Sequence, residues 1–399
     1  MCFAVRLIGV AAALSALLVG ASGCLLSGRA VRSCYPCAAQ QSSPVDEAPL
    51  VQFIAMGDFG TIHNREVAQA LQRFIAAAPT PPERVLELGD NFYDFGLVGA
   101  VESCEDLPLS TKAVAKQAVR VLKPFEFLRD RGITLTALPG NHDARCFGQG
   151  VANEVHIDQW LPKKHRWQQR WELVYGLPHE IVLADGAVQV ITLDSERMLA
   201  RRDFRTESAA RLQTLLAQGV GRYRWQIVAA HHPLQTNGAH NAADFRSSMR
   251  KLASYLVLPN VLAAFGVEPF TSLNQDPYSI RYWQYRRAVE HAVERSGATV
   301  PLFLAGHDHQ LQLLAPRAAG LPHIAVSGSA ANCAPVRARR DTIFAAPKRG
   351  FVVVTAYREH LDVDFIGTTS CEEREPCAPS AQARPVQLFH YRIPASGNR

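Results

Sequence analysis

Five short segments of the chain join a glycine or small residue to side chains that bind metal ions. Among these side chains are two aspartates, an asparagine, a tyrosine and three histidines. Carboxylate, amide, phenolate and imidazole groups are hard to borderline donors, which indicate a site for Fe, Mn or Zn rather than a thiolate site. One such segment is usually a turn, but five of them predict a metal centre. The segments are GDFG (57–60), GDNFY (89–93), GNHD (140–143), HHP (231–233) and GHDH (306–309).

The apolar runs that precede these segments have the composition of buried β-strands. They are short, rich in β-branched residues and followed by turn residues, which favours strand over buried helix. In α/β folds, ligands collect at the carboxyl ends of strands, so we expect the five segments to lie close together. The predicted strands are 50–56, 84–88, 133–138, 188–193, 225–230, 301–305, 323–327, 351–356 and 361–366.

Helical patterns alternate with the predicted strands. Apolar residues at helical spacing predict helices around 67–75 and 114–125, and Thr206 is the predicted N-cap of a third helix. Strands that alternate with helices predict mixed α/β layers. The last three strands have little helix between them and are predicted to be antiparallel.

In this order, the five segments resemble the calcineurin-like metallophosphoesterases and, within them, the purple acid phosphatases. The pattern of that family is DxG, GDxxY, GNH(D/E), VxxH and GHxH, and the resemblance covers roughly residues 50–366. The stretches GDNFYDFG, HDHQLQLL and SGSAAN resemble the compact, tartrate-resistant branch. The resemblance implies an α/β fold: a four-layer αββα sandwich of two mixed sheets flanked by helices.

The resemblance also implies a ligand set for two metal ions. Most of the superfamily has a histidine where this chain has Gly60, and Tyr93 resembles the phenolate that replaces it. A phenolate favours a trivalent ion such as Fe(III); the alternative is that Tyr93 is a core aromatic. Asp90 would bridge this ion and a second one, which would be Fe(II), Zn or Mn. The first ion would be held by Asp58, Tyr93 and His309, and the second by Asn141, His231 and His307.

Two further histidines are candidates for contact with the substrate. His142 would hydrogen bond a phosphate oxygen, with Asp143 orienting it. His240 lies nine residues after His231, which resembles the family's spacing for a substrate-contacting histidine. The alternative for His240 is a solvated loop residue. Three other polar residues are predicted to be structural: Asp194, His232 and Asp308.

The predicted activity is the hydrolysis of phosphate monoesters to release inorganic phosphate. Two ions about 3.5–4 Å apart suit in-line displacement at phosphorus, with hydroxide on a metal ion as the nucleophile. A phosphodiesterase or nucleotidase on the same metals is an alternative. Another alternative is a surface lipoprotein that uses the fold for binding rather than catalysis. Such a protein would be expected to have lost metal ligands, and none of the ligands is lost here. The sequence lacks HExxH, which argues against a zinc peptidase.

Composition fits a large exported globular protein. Of 399 residues, 48% are hydrophobic and 20% charged, which is enough for a large core. The formal charge is +6 without a basic run that contains interleaved aromatics, so no specific nucleic-acid binding is predicted.

The N-terminal pattern predicts export. Residues 1–23 contain Arg6, an apolar stretch over 7–19 and then small residues, as in a signal peptide. The next residue, Cys24, completes a box that resembles the bacterial lipoprotein cleavage site, with Ala21 in place of Leu. We expect a lipid anchor at Cys24 and a periplasmic or outer-envelope location; simple cleavage and secretion are the alternative. The predicted organisation is a tether over 24–48, a metallophosphoesterase domain over 49–370 and a cysteine-bearing tail over 371–399.

Cysteine usage agrees with an oxidising compartment. A local disulfide between Cys34 and Cys37 is predicted, and the tail loop is predicted to be closed by Cys371 and Cys377. The remaining connectivity cannot be read from the sequence. The segment 258–283 is predicted to be a long loop near the mouth of the site.

Overall fold

The computed structural model of the protein describes residues 29–36, 47–99, 101–106, 110–241, 277, 279–368 and 383–395. Cys24, Cys37, Cys371 and Cys377, the export signal, and most of the segment 258–283 lie outside these residues. The strands are β1 Arg29–Val31, β2 Val51–Met56, β3 Arg84–Glu87, β4 Thr134–Ala137, β5 Trp171–Leu173, β6 His179–Leu183, β7 Val188–Leu193, β8 Trp225–Ala230, β9 Leu302–Ala305, β10 Leu311–Leu314, β11 His323–Ser327, β12 Val336–Ala338, β13 Thr342–Ala346, β14 Gly350–Ala356, β15 His360–Thr368 and β16 Pro385–Pro394.

Two seven-stranded mixed sheets form the centre of the fold. One has the order β16-β15-β14-β2-β3-β4-β5, in which β2 to β5 are parallel. The other has the order β13-β10-β11-β9-β8-β7-β6, in which β7, β8, β9 and β11 are parallel. Strands β1 and β12 pair separately. Within each sheet, the carboxyl ends of the parallel strands therefore lie at the same edge.

Helices cover the outer faces of both sheets. The helices are α1 Arg65–Ala77, α2 Thr111–Leu122, α3 Glu126–Asp130, α4 Gln149–Val155, α5 Ile157–Trp160, α6 Ser195–Ala200, α7 Arg202–Gly219 and α8 Ile280–Ser296. Ser110 and Ser279 cap α2 and α8 by accepting backbone N–H groups, which explains where these helices begin. In the described part of the chain, no helix combines the length and apolarity that crossing a bilayer requires.

The hydrophobic core has three layers, which confirms the predicted αββα sandwich. Side chains alternate along β2: Phe53 points between the sheets, whereas Ile54 points towards the helices. The inner layer joins both sheets, as Phe53 and Ile227 illustrate. The outer layers pack α1 and α2 on one sheet, and α7 and α8 on the other.

Several features differ from the sequence-based expectations. Strands β1, β5, β6, β10, β12, β13 and β16 were not predicted, and β11 pairs parallel with β9 in the other sheet. Helix α7 begins at Arg202 rather than after Thr206, and the Thr206 hydroxyl, inside the helix, donates to the Arg202 carbonyl four residues back. The sheet also continues beyond residue 370, where the sequence predicts the domain to end: β16 pairs antiparallel with β15. A polar stretch separates the two strands in the sequence, so the sequence pattern does not indicate that they pair. Strands β14 and β15 are antiparallel, as predicted.

Candidate metal centre

The predicted ligands converge where the parallel strands of the two sheets end. Asp58 follows β2, Asp90 follows β3 and Asn141 follows β4, all in one sheet. His231 follows β8, and His307 follows β9, in the other sheet. The site therefore lies between the sheets, at the edge to which both sets of parallel strands point.

One group of donor atoms surrounds Asp58. The Tyr93 hydroxyl donates to Asp58 Oδ1 at 3.0 Å and lies 3.1 Å from His309 Nε2. His309 Nε2 is 3.4 Å from Asp58 Oδ1. These three residues are the set predicted for the first metal ion.

A second group surrounds Asn141. Its Oδ1 lies 3.0 Å from His231 Nε2 and 3.1 Å from His307 Nδ1, and the two ring nitrogens are 3.3 Å apart. These three residues are the set predicted for the second ion. Asp90 lies between the groups: its Oδ1 is 3.5 Å from His231 Nε2, and ligand atoms of Asp58, Asp90 and His231 all lie within 4.8 Å of one another.

A hydrogen bond to the backbone fixes the orientation of the His231 ring. Its Nδ1 lies 2.8 Å from the Leu88 carbonyl oxygen, which can only accept, so Nδ1 carries the proton. The Nε2 lone pair then faces Asn141 and Asp90. A backbone partner of this kind is the usual device that orients a metal-binding histidine.

Three predicted ligands have left-handed backbone conformations. The φ angles are 64° at Asp58, 60° at Asp90 and 69° at His307. This region costs a residue with a side chain about 1–2 kcal/mol. Such strain collects at functional sites, where the surrounding structure holds it. Here part of the support is the His307 N–H, which donates to Asp58 Oδ2 at 2.8 Å.

Gly60 allows the loop of Tyr93 to pack closely against the loop of Asp58. A Cβ atom at Gly60 would lie 2.6 Å from the Asp90 carbonyl oxygen, too close for any side chain. The Gly60 N–H donates to that carbonyl, and the Tyr93 N–H donates to the Gly60 carbonyl, each at 3.2 Å. The backbone that leads to Tyr93 thus packs directly against Gly60, and the Tyr93 hydroxyl reaches Asp58.

The electrostatics of the bare donors favour bound cations. Burial, and then the carboxylates of Asp58 and Asp90, raise the pKa of the Tyr93 phenol well above its ordinary value. A phenolate is therefore stable here only beside a strongly positive ion. Burial and the neighbouring His240 hold the pKa of His307 well below its ordinary range, so this ring is neutral and has a lone pair for a metal. The donor set thus fits two metal ions.

A layer of buried polar residues that the sequence did not single out supports the ligands. Asn91 Nδ2 donates to Glu154 Oε2 and to the Leu138 carbonyl, both at 2.9 Å. Glu87, in β3, accepts the N–H groups of Phe59 and Gly89 beside the two aspartates. Burial raises the pKa of both Glu87 and Glu154 well above the ordinary value. The available signal was a glutamate inside an otherwise apolar strand.

Asp143 contacts the backbone rather than the His142 ring. Its carboxylate accepts the N–H groups of Gly140 at 2.8 Å and of Asn91 and Phe92 at 3.0 Å, which joins two ligand-bearing loops. The His142 ring is oriented by the Asp94 carbonyl instead, 2.7 Å from Nδ1. Its Nε2 lies 3.9 Å from Asp90 Oδ2, so His142 is at the site.

The remaining predicted residues also lie at or beside the centre. The His240 ring stacks on His307 at 3.9 Å between centroids, and the His240 N–H donates to Asp308 Oδ1 at 3.0 Å. Asp308 thus ties the loop of His240 to that of His307. His232 is fully buried with its Nδ1 2.9 Å from Ser195 Oγ, although it also lies near enough to His231 and His307 to complete a three-histidine cluster. Asp194 caps α6 by accepting the Arg197 N–H.

Comparison with known proteins agrees with this geometry. Residues 51–311 match the sequence model of the calcineurin-like phosphoesterases. No curated protein matches the chain significantly.

Several solved structures are similar to the chain, and three of them are described here. One is described as GAP50, the anchor in the inner membrane complex of Plasmodium (14% identity, 85% of this chain and 89% of that chain, TM-score 0.51). PhoD is another (11% identity, 88% and 71%, TM-score 0.53). The third is the purple acid phosphatase PPD1 from yellow lupin (Lupinus luteus) seeds (13% identity, 88% and 54%, TM-score 0.48). At these identities, the first two similarities concern the fold alone.

The range matched by the family model spans well over half of the chain and includes every predicted metal ligand. The protein therefore belongs to the calcineurin-like phosphoesterases and is a metallophosphoesterase.

Proposed function

We propose that the protein hydrolyses phosphate monoesters at a binuclear centre of the purple acid phosphatase type, in the manner of the tartrate-resistant branch. The observation that carries this proposal is the pair of donor groups on either side of Asp90. In the proposed centre, Fe(III) is held by Asp58, Tyr93 and His309, and Fe(II), Zn or Mn by Asn141, His231 and His307, with Asp90 shared.

The ions, when bound, polarise the phosphoryl oxygens and lower the pKa of water, which supplies the nucleophile. Residues of the chain position the ester and handle the proton. His142 donates its Nδ1 proton to the Asp94 carbonyl, so Nε2 faces the site. Burial lowers the pKa of His142, so the charged form, whose Nε2–H would donate to a phosphoryl oxygen, is favoured at acidic pH. His240 is the candidate for protonating the leaving alkoxide.

The proposed location is outside the cytoplasm, with Cys24 lipidated or, alternatively, with the mature chain secreted. Support comes from the export pattern of residues 1–23 and from cysteine pairing. Cys104 and Cys146 form a disulfide, and Cys34 is also disulfide-bonded. Disulfides persist in oxidising compartments. The proposed ligands are a phosphate ester and the phosphate released from it, without specific binding of nucleic acid.

The test is to purify the protein with its native metals, determine metal content and record the visible spectrum. Rates on para-nitrophenyl phosphate and on bis-para-nitrophenyl phosphate are then compared before and after chelation. We expect two metals per chain, iron among them. We also expect a higher kcat/KM on the monoester than on the diester, and loss of this activity when the metals are removed. A preference for the diester would favour a phosphodiesterase, and a fully metallated protein that is inactive on both would favour a binding protein.

A further inference from the structure

Helix α2 presents a row of cations beside the metal centre. Lys112, Lys116, Arg120 and Lys123 are exposed at spacings of three or four residues, and the segment TKAVAKQAVRVL contains no acidic residue. Like charges at this spacing destabilise a helix by a few tenths of a kcal/mol per pair. A merely solvated helix face would normally mix charges of both signs.

Two adjoining grooves run along this helix. The inner groove, of about 440 Å³, is lined by Gly60, Tyr93 and Asp94 of the metal-binding loops and by Lys116 and Arg120 of α2. The outer groove, of about 700 Å³, shares Lys116 and Arg120 with it. Lys116 and Arg120 therefore border both grooves, and the inner groove adjoins the Tyr93 side of the metal centre; the two grooves together are called the channel below.

The outer groove is positively charged over its whole length. Beyond Lys116 and Arg120, the outer groove is lined by Arg65, Lys123 and Lys164. Within the described part of the chain, no carboxylate lies within 4 Å of the charged nitrogens of these five cations. Asp94 is the single carboxylate that lines the inner groove, and none lines the outer one.

The floor of the outer groove is apolar, which strengthens the field of the cations above it. Val119, Pro124 and Pro162 contribute to this floor. A low-dielectric wall focuses the field of a row of like charges, so the groove attracts anions more strongly than isolated surface lysines do. The apolar floor also gives the carbon skeleton of a ligand a surface to pack on.

We propose that this channel binds a second anionic group of the substrate, so that the natural substrate is a phosphate ester with another phosphate at the far end of a partly apolar linker. The proposal rests on the proposed function. One ester P–O bond is hydrolysed at the metal centre: phosphorus gains the oxygen of water, and the leaving alkoxide gains a proton. The second phosphate remains intact on Lys116 and Arg120.

The test compares 1,6-hexanediol bisphosphate with hexyl phosphate, which has the same linker and one phosphate fewer. At low ionic strength, we expect a higher kcat/KM for the bisphosphate, mainly through KM. The double variant Lys116→Met, Arg120→Met should lower the ratio of the two kcat/KM values by about tenfold, the size expected for two partly exposed charge-assisted contacts. Lys112→Met removes an exposed cation of the same helix that lines neither groove, and should keep the wild-type ratio.

Salt and direct binding separate this proposal from the proposed function. The preference for the bisphosphate should shrink as salt is raised to about 1 M, where the Debye length is about 3 Å. If the wild type hydrolyses neither ester, the proposed function fails, and calorimetric binding of the bisphosphate then decides about the channel. Tighter binding to the wild type than to the double variant supports the channel. Equal binding, an unchanged ratio, or an equal loss in Lys112→Met overturns it.

Discussion

Gln117 fastens helix α2 to the loop of Tyr93. Its Oε1 accepts the Gly99 N–H at 2.7 Å, and its Nε2 donates to the carbonyls of Tyr93 at 3.2 Å and Gly96 at 3.0 Å. The side chain is half-buried, so water replaces these bonds incompletely when it is removed. Gln117→Ala should therefore destabilise the protein and loosen the predicted first metal site.

The magnitude follows from the three bonds. Each is worth about 0.5–1.5 kcal/mol net, and partial hydration recovers some of that, so we expect a loss of about 2 kcal/mol. Gln117→Glu keeps the acceptor for Gly99 but opposes a charged oxygen to two carbonyl groups. It should therefore be no more stable than Gln117→Ala.

Urea denaturation of the chelator-treated protein measures this loss without the contribution of metal binding. Gln69→Ala, which removes an exposed glutamine from α1, is the control and should stay within about 0.5 kcal/mol of the wild type. Metal titration should show affinity at the first site reduced about tenfold in Gln117→Ala, as for other outer-layer changes. Wild-type stability together with wild-type metal affinity would refute the reasoning.

Four other changes test the metal centre and the anchor. Asp90→Ala should lose metal and reduce phosphatase activity by more than the roughly 10–100-fold of an outer-layer change, because both donor groups lose their shared oxygen donor; two metals per chain with ordinary turnover would contradict the bridge. Tyr93→Phe removes the oxygen that lies 3.0 Å from Asp58 but keeps the ring, so a purple or pink protein should lose its colour while its fold survives; a wild type without iron and without colour would exclude the iron assignment. His240→Ala should slow alkyl phosphates by about a hundredfold and aryl phosphates much less, since phenolates leave without a proton; equal losses would indicate a structural role. Cys24→Ser should release the protein from membranes or block its processing, and a wholly soluble wild type with another N-terminus would rule out lipidation.

Much of the chemistry was predictable because it is encoded locally. The sequence determined the type and order of the donor residues, and the apolar runs before them predicted the strands that carry them. Asp58 and Asp90 were identifiable because each follows an apolar run and a glycine. A buried strand must be apolar and must end in a turn. A few consecutive residues therefore indicate where the strand lies and where the turn that carries the aspartate follows it.

Edge strands and helix boundaries were less predictable. The strands that were missed are β1, β5, β6, β10, β12, β13 and β16. Strand β5 is only three residues long, and β16 pairs with β15 across a long polar stretch. Thr206 is a good N-cap by type, yet it lies inside α7 because the chain before it already continues as helix. Such choices depend on neighbouring elements rather than on the residue itself.

The structure alone decided what holds the donor residues in place. The sequence could not reveal that the Leu88 carbonyl orients His231, that the Asp94 carbonyl orients His142, or that Asp143 clamps backbone rather than a ring. These partners are mostly main-chain groups. Because every residue has them, the sequence does not indicate which of them make these contacts. Likewise, Lys116 becomes part of a channel only because α2 packs beside the Tyr93 loop. Residue types determine which chemistry is available, whereas contacts between residues far apart in the chain determine which atoms meet.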